Sequence, residues 1–151
     1  VYRANGGPME PMYDGMEALV RALAAEPETI LGVVTGKSRR GLNAILGHYG
    51  MEQLFVTTRT ADDCPSKPNP AMVLECCRET GFDPADTFVI GDAVFDMEMA
   101  NNAGARAVGV SWGYAPLDHL KRAGAHHIAH NAEELGDILA FQGASDARLA
   151  Q

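Results

Sequence analysis

Val89-Ile90-Gly91-Asp92-Ala93-Val94-Phe95-Asp96 is the stretch on which the fold turns. The apolar residues that lead into it predict a buried strand over Thr87–Ile90. Gly91 breaks the run and presents Asp92. Asp96 follows four residues later, at the start of a helix expected over Asp96–Ala103 and closed by Gly104. Two carboxylates at the carboxyl edge of a strand suit a hard cation, because magnesium takes oxygen ligands in near-octahedral geometry and keeps several waters. The plainer alternative makes Asp96 an N-cap and Asp92 a turn residue.

The same alternation extends outward in both directions. Upstream, Met16–Ala25 has helical periodicity with Asp14 or Gly15 near its N-cap, Ile30–Val34 reads as a buried strand, and Arg39–Tyr49 reads as a helix stopped by Gly50. Leu54–Thr58 is a short β-rich run, and Asn69–Thr80 is a helix with Pro70 in its first turn and Gly81 at its end. Downstream come a strand over Arg106–Val110, a helix over Pro116–Ala123, a strand over His126–Ala129 and a helix over Ala132–Phe141, with a frayed tail from Gly143. Such alternation implies right-handed crossovers and an α/β fold, a parallel sheet with helices on both faces. Ligands of these sheets bind outside the carboxyl ends of the strands. Chemistry is therefore expected in the loops after Val34, Thr58, Ile90 and Val110.

Two further segments at that edge carry signals. Gly32-Val33-Val34-Thr35-Gly36-Lys37-Ser38 ends a strand and precedes a helix, where a hydroxyl, a glycine and free backbone N–H groups can cradle a phosphate. A Walker A loop needs four residues between its first glycine and Gly-Lys-Ser/Thr, and only three separate Gly32 from Gly36. Ser66-Lys67-Pro68-Asn69-Pro70 holds Lys67 between a loop and a helix start, braced by two prolines. A lysine so placed can be aimed inward, although a lone lysine is ordinarily a solvated surface residue.

Thr-Gly after the first visible strand, Lys-Pro-x-Pro, and Gly-Asp-x-x-x-Asp after a later strand, taken in that order, resemble the motifs of the haloacid dehalogenase superfamily. The likeness runs from about Met12 to Phe141, is strengthened by Gly109–Tyr114 (GVSWGY), and points to the phosphoglycolate phosphatase and β-phosphoglucomutase branch. It implies a Rossmann-like core and a phosphoric monoester hydrolase that uses Mg²⁺ on a small phosphorylated metabolite through an aspartyl-phosphate. It also implies roles. Thr35 would bind the transferring phosphoryl group through its hydroxyl and Gly36 through its N–H. Lys67 would neutralise phosphoryl charge and steady the nucleophile. Asp92 would hold Mg²⁺, directly or through water, with Asp96 as its partner. The implied organisation is a remnant of the return from a helical cap over 1–15, including Tyr13-Asp14-Gly15, a core over 16–142 and a tail over 143–151.

In that family the nucleophile is the first aspartate of an Asp-x-Asp motif on a strand in the middle of the sheet. Its place would be between the strands expected at Ile30–Val34 and Thr87–Ile90. The 151 residues contain no Asp-x-Asp: Asp62 and Asp63 are adjacent, and Asp83 and Asp86 are three apart. The resemblance thus puts the central strand and the cap outside this chain, with the nucleophile expected from an upstream segment and the fragment alone expected to be inactive. The alternatives are a strand from another chain, or a patch formed by Val1–Pro11, which its Gly-Gly and prolines argue against.

Composition bounds the rest. Hydrophobic residues make up 46% of the chain, which fits a globular domain, and a net charge of −8 argues against a nucleic-acid partner. No apolar run approaches the ~20 residues that cross a bilayer, no signal-peptide pattern is visible, and the chain opens on Val1. Cys64, Cys76 and Cys77 form no C-x-x-C pair and read as thiols of a cytoplasmic protein. His126, His127 and His130 cluster near a strand, but adjacent strand residues face opposite ways and do not readily share a metal. Arg39 and Arg40 are set between attracting an anionic substrate and lying solvated in a first helical turn. Oligomeric state is not readable. Two other functions remain open at this point: a truncated, non-catalytic core that binds phosphate or a partner, and a P-loop nucleotide hydrolase.

Overall fold

A computed structural model describes residues 12–145. In chain order it contains α1 (Met16–Ala25), β1 (Gly32–Val34), α2 (Arg39–Tyr49), β2 (Thr57–Arg59), α3 (Ala71–Thr80), β3 (Phe88–Gly91), α4 (Val94–Ala103), β4 (Arg106–Val110), α5 (Leu117–Arg122), β5 (His127–Ala129) and α6 (Ala132–Ser145). The Val1–Pro11 stretch and residues 146–151 of the tail lie outside the described residues.

The elements alternate as the apolar runs predict, and α1, α2 and β4 keep their expected limits. The other eight elements shift: β1 shortens to Gly32–Val34, β3 moves to Phe88–Gly91, α5 shortens to Leu117–Arg122 and β5 to His127–Ala129, and the remaining four are β2, α3, α4 and α6. β2 begins at Thr57 because Leu54 N–H bonds back to the Met51 carbonyl in a turn and Val56 N–H bonds to the Leu31 carbonyl. α3 begins at Ala71, because the Asn69 N–H turns back to the Ser66 carbonyl and Asn69 Oδ1 accepts the Ala71 N–H at 2.9 Å. α4 begins at Val94, so Asp96 is not its N-cap but lies inside its first turn. α6 continues to Ser145, past the Gly143 where the tail was expected to fray. One short 3₁₀ turn, Pro84–Asp86, carries no apolar period and is not anticipated; Asp83 caps it by accepting the Ala85 N–H at 2.9 Å.

Every strand pair is parallel, in two sheets ordered β1–β2 and β3–β4–β5. The register sets Val33 beside Thr58, Ile90 beside Val108, and Gly109 beside Ile128. One buried cluster, with Met72, Val73, Met97, Met99, Ala100 and Leu120 at its centre, packs α3, α4 and α5 on one face. A second, with Phe88, Val108, Val110, Leu135 and Leu139, packs α1 and α6 on the other. This is the α/β layering predicted, with helices on both faces.

β1 and β3 are not hydrogen-bonded to each other. They flank a cavity of about 270 Å³, lined on one side by Ile30, Gly32 and Val34 and on the other by Thr87, Val89 and Ile90, with Val73 and Cys77 of α3 also on its wall. A single water needs only about 10–15 Å³ by such a measure, and voids larger than a water are few in a folded core. Among the described residues no strand lies between β1 and β3, which is consistent with the further parallel strand that the resemblance implies there.

The outer strand β2 is tied to α3 by Arg59, whose guanidinium meets Glu75 at 2.9 Å and Glu79 at 3.0 Å. Arg59 holds the Glu75 carboxyl below its ordinary value, and the Thr57 hydroxyl with Arg59 does the same for Glu79. A carboxylate whose folded pKa is depressed gives stability that is complete above its unfolded pKa and is lost as pH falls through the lower folded value. Arg59→Met is therefore expected to lower the melting temperature at pH 7 by a few degrees, with the gap to the parent closing below about pH 4 as both glutamates protonate. Thermal melts across pH 3–7 check this, and a gap that does not change with pH would refute it.

Candidate active site

The carboxyl ends of the strands gather most of the motif residues. β3 runs into Gly91, and α4 begins immediately after Ala93. Asp96, in the first turn of α4, turns back so that Oδ2 accepts the Ala93 N–H at 3.2 Å. Its other oxygen, Oδ1, accepts from Lys67 Nζ at 2.5 Å. Asp96 is buried and Lys67 half-buried, so the pair is shielded from water and oriented rather than merely close. A methyl group on Gly91 would overlap the Asp96 side chain, so glycine is needed there for this close approach.

Lys67 is aimed by α4 from two points. Besides the Asp96 ion pair, Asn102 Nδ2 donates to the Pro68 carbonyl at 3.0 Å. The Lys67–Pro68 peptide is cis. The sequence points to Lys67 through its flanking prolines but not to Asn102. The only hint was the Asn101-Asn102 pair in the last turn of a helix, where asparagine is a poor helix former. Asn101 is explained separately, since its Nδ2 donates to the Met97 and Gly124 carbonyls, both at 2.9 Å.

Asp92 differs from Asp96. It is half-buried, and among the described residues its carboxylate has no hydrogen bond or ion pair. It lies against Gly113 in the loop after β4, where a methyl group would overlap its side chain. No three His, Cys, Asp or Glu side chains gather as a metal site among the described residues. A single unengaged carboxylate beside a committed one does not fit a zinc shell of four protein N or S ligands. It does fit a hard cation that keeps most of its own waters and takes one or two carboxylates.

Thr35 and Gly36 follow β1, whose residues line the same cavity as those of β3, the strand that leads to Asp92. Thr35 Oγ1 accepts the Lys37 N–H at 3.2 Å, and the Thr35 N–H donates to the Arg59 carbonyl at 3.1 Å. Among the described residues, and apart from its two chain neighbours, no atom lies within 4 Å of where a side chain on Gly36 would begin. Burial holds the Lys37 ammonium below its ordinary value. Ser38 caps α2 by accepting the Gly41 N–H at 3.0 Å.

Other polar residues fall into structural roles. Arg39 keeps 36% of its side chain exposed but is tied into the fold: it bonds Asp63 at 2.6 Å, Thr58 Oγ1 at 2.6 Å and the Thr58 carbonyl at 3.3 Å. Asp62 accepts the Arg39 N–H at 2.8 Å. The adjacent aspartates thus anchor the start of α2 to β2. His126 Nδ1 accepts the Ala107 N–H at 2.8 Å, and His130 Nδ1 pairs with Glu134 at 2.7 Å. No helix among the described residues is long and apolar enough to cross a membrane.

A parallel α/β core with a Thr-Gly loop, an oriented lysine and an acidic pair on one edge of its strands defines the class of protein. The chain belongs to the haloacid dehalogenase-like hydrolase family, whose profile matches residues 5–110. Relatives lie in its phosphoglycolate phosphatase branch. The chain is 31% identical over 140 residues to N-acetylmuramic acid 6-phosphate phosphatase of Pseudomonas aeruginosa, covering 91% of this chain and 62% of that one. It is 34% identical over 86 residues to phosphoglycolate phosphatase of Haemophilus influenzae, covering 56% and 38%. Among solved structures it is similar to a predicted phosphoglycolate phosphatase from Haemophilus somnus, with a TM-score of 0.77 at 27% identity, covering 91% of this chain and 59% of the other. The chain spans less than two thirds of the length of each.

Proposed function

We propose that the full-length protein is a Mg²⁺-dependent phosphatase that hydrolyses a small phosphomonoester through an aspartyl-phosphate, with the nucleophile on a strand inserted between β1 and β3. The observation that carries this is the pair of strand edges on one cavity, unpaired among the described residues, with Thr35 and Asp92 at the carboxyl ends of their strands. A strand in that slot would deliver its own carboxyl end, and an aspartate on it, between the Thr-Gly loop and the acidic pair.

Phosphoryl transfer asks mainly for positioning and charge stabilisation. The Thr35 hydroxyl and the Gly36 N–H are the donors for non-bridging phosphoryl oxygens. Lys67, fixed by Asp96 and Asn102, supplies positive charge at a defined point. Asp92 is the residue that would hold Mg²⁺, with Asp96 organising the loop beside it, and the ion would offset the charge of the phosphoryl oxygens. The relatives are named for different phosphorylated compounds, so the substrate class proposed is a small phosphorylated metabolite, with phosphoglycolate as the first to try. A cytoplasmic location suits that substrate.

A non-catalytic core is the second reading, motivated by the lack of Asp-x-Asp in these residues. The test is phosphate release from phosphoglycolate and other small phosphomonoesters, with Mg²⁺ or with EDTA, by the full-length gene product and by residues 1–151 alone. Mg²⁺-dependent release by the full-length product and none by the fragment is expected. No release by the full-length product would favour the non-catalytic core. Equal rates from both would rule out an inserted nucleophile strand.

A further inference from the structure

Trp112, the one tryptophan of the chain, lies in the loop after β4. Tyr13 stacks on it with ring centroids 4.3 Å apart and planes within 5°. The indole Nε1 is buried with no hydrogen-bond partner among the described residues. A buried indole N–H ordinarily finds an acceptor, so the ring is held by its face and not by its polar atom.

Both rings sit on rigid supports. The Tyr13 carbonyl accepts the Met16 N–H at 2.9 Å, starting α1, and Gly15 takes a left-handed φ of 82° where a methyl group would press on Ala132 at 3.0 Å. On the other side, the Ser111 N–H donates to the Ala129 carbonyl at 3.0 Å and Ser111 Oγ to the His130 carbonyl at 3.3 Å. Trp112 also packs on the cluster beneath α1 and α6. The next residue, Gly113, is the one pressed against Asp92.

We propose that the Tyr13–Trp112 stack is a clasp that positions Asp92: it fixes the loop whose Gly113 backs onto that carboxylate, and so links the segment entering α1 to the cation site. Asp92 has no hydrogen bond of its own among the described residues, so its placement depends on what it leans against. Tyr13 and Trp112 act here as positioning residues. The inference rests on the reading of Asp92 as a Mg²⁺ ligand.

The test is Mg²⁺ binding without substrate, by calorimetry, on the full-length protein and its Tyr13→Phe, Tyr13→Leu and Tyr13→Ala variants, with Trp112 emission recorded in parallel. Tyr13→Phe keeps the stack and should match the parent in both. Tyr13→Leu fills the space without stacking. It and Tyr13→Ala should shift Trp112 emission and weaken Mg²⁺ binding by about fivefold, the scale of one lost aromatic pair. If Tyr13→Ala fails to fold, Tyr13→Leu decides. Shifted emission with unchanged Mg²⁺ affinity would overturn the clasp, because the stack would then be packing alone. A parent protein that binds no Mg²⁺ would instead overturn the cation site itself.

Discussion

Asp92→Asn in the full-length protein is expected to lower Mg²⁺-dependent phosphate release by at least about a thousandfold, roughly 4 kcal/mol of transition-state stabilisation. The same substitution should leave the fold almost untouched, within about 0.5 kcal/mol. Both follow from one observation. The Asp92 carboxylate has no ion pair or hydrogen bond among the described residues, so its charge does nothing for stability that the amide would lose. Asparagine has the same shape and fits the same contact with Gly113. What changes is the negative charge offered to a hard cation, which an amide oxygen offers poorly. Steady-state rates over a Mg²⁺ series, beside thermal melts, measure both quantities. Turnover retained at the parent level would remove Asp92 from the site. A collapse in stability would mean that its charge has a structural partner.

The order of elements was legible because strands and helices here are short, apolar and separated by glycines at telling places. Gly50 and Gly81 mark helix ends that the structure keeps. The main errors sit where local hydrogen bonds, from backbone or side chain, set an element's start. An apolar run such as Leu54–Val56 carries no sign that the Leu54 N–H closes a turn on the Met51 carbonyl. Residue type alone makes Asp96 an N-cap candidate, whereas the choice between the cap and the first turn depends on which amide the carboxylate reaches. At the candidate site, residues that stand in motifs were legible from their spacing. Those that act by contact across the chain were not: Asn102 meets Pro68 from 34 positions away, and Gly113 meets Asp92 from another loop. Tyr13 and Trp112 lie nearly a hundred residues apart in sequence, and nothing local pairs them.

Lys67→Met is expected to have two effects that a second substitution separates. Removing the ammonium takes away the charge proposed for the phosphoryl group, and turnover should fall by about a hundredfold to a thousandfold. It also leaves Asp96 buried without its cation. Breaking a buried pair by removing one partner costs about 3–5 kcal/mol, and the value here belongs at the lower end because Lys67 keeps 21% of its side chain exposed. Adding Asp96→Asn removes the stranded charge, while an asparagine oxygen can still accept the Ala93 N–H. The double variant should therefore regain most of the stability lost in Lys67→Met. Its activity should not return, since the lysine charge is still missing. Denaturant melts and rates on the two single variants and the double variant complete the cycle. Activity recovering together with stability would show that Lys67 serves the site only by holding Asp96. Activity staying lost while stability recovers would place the lysine charge on the phosphoryl group.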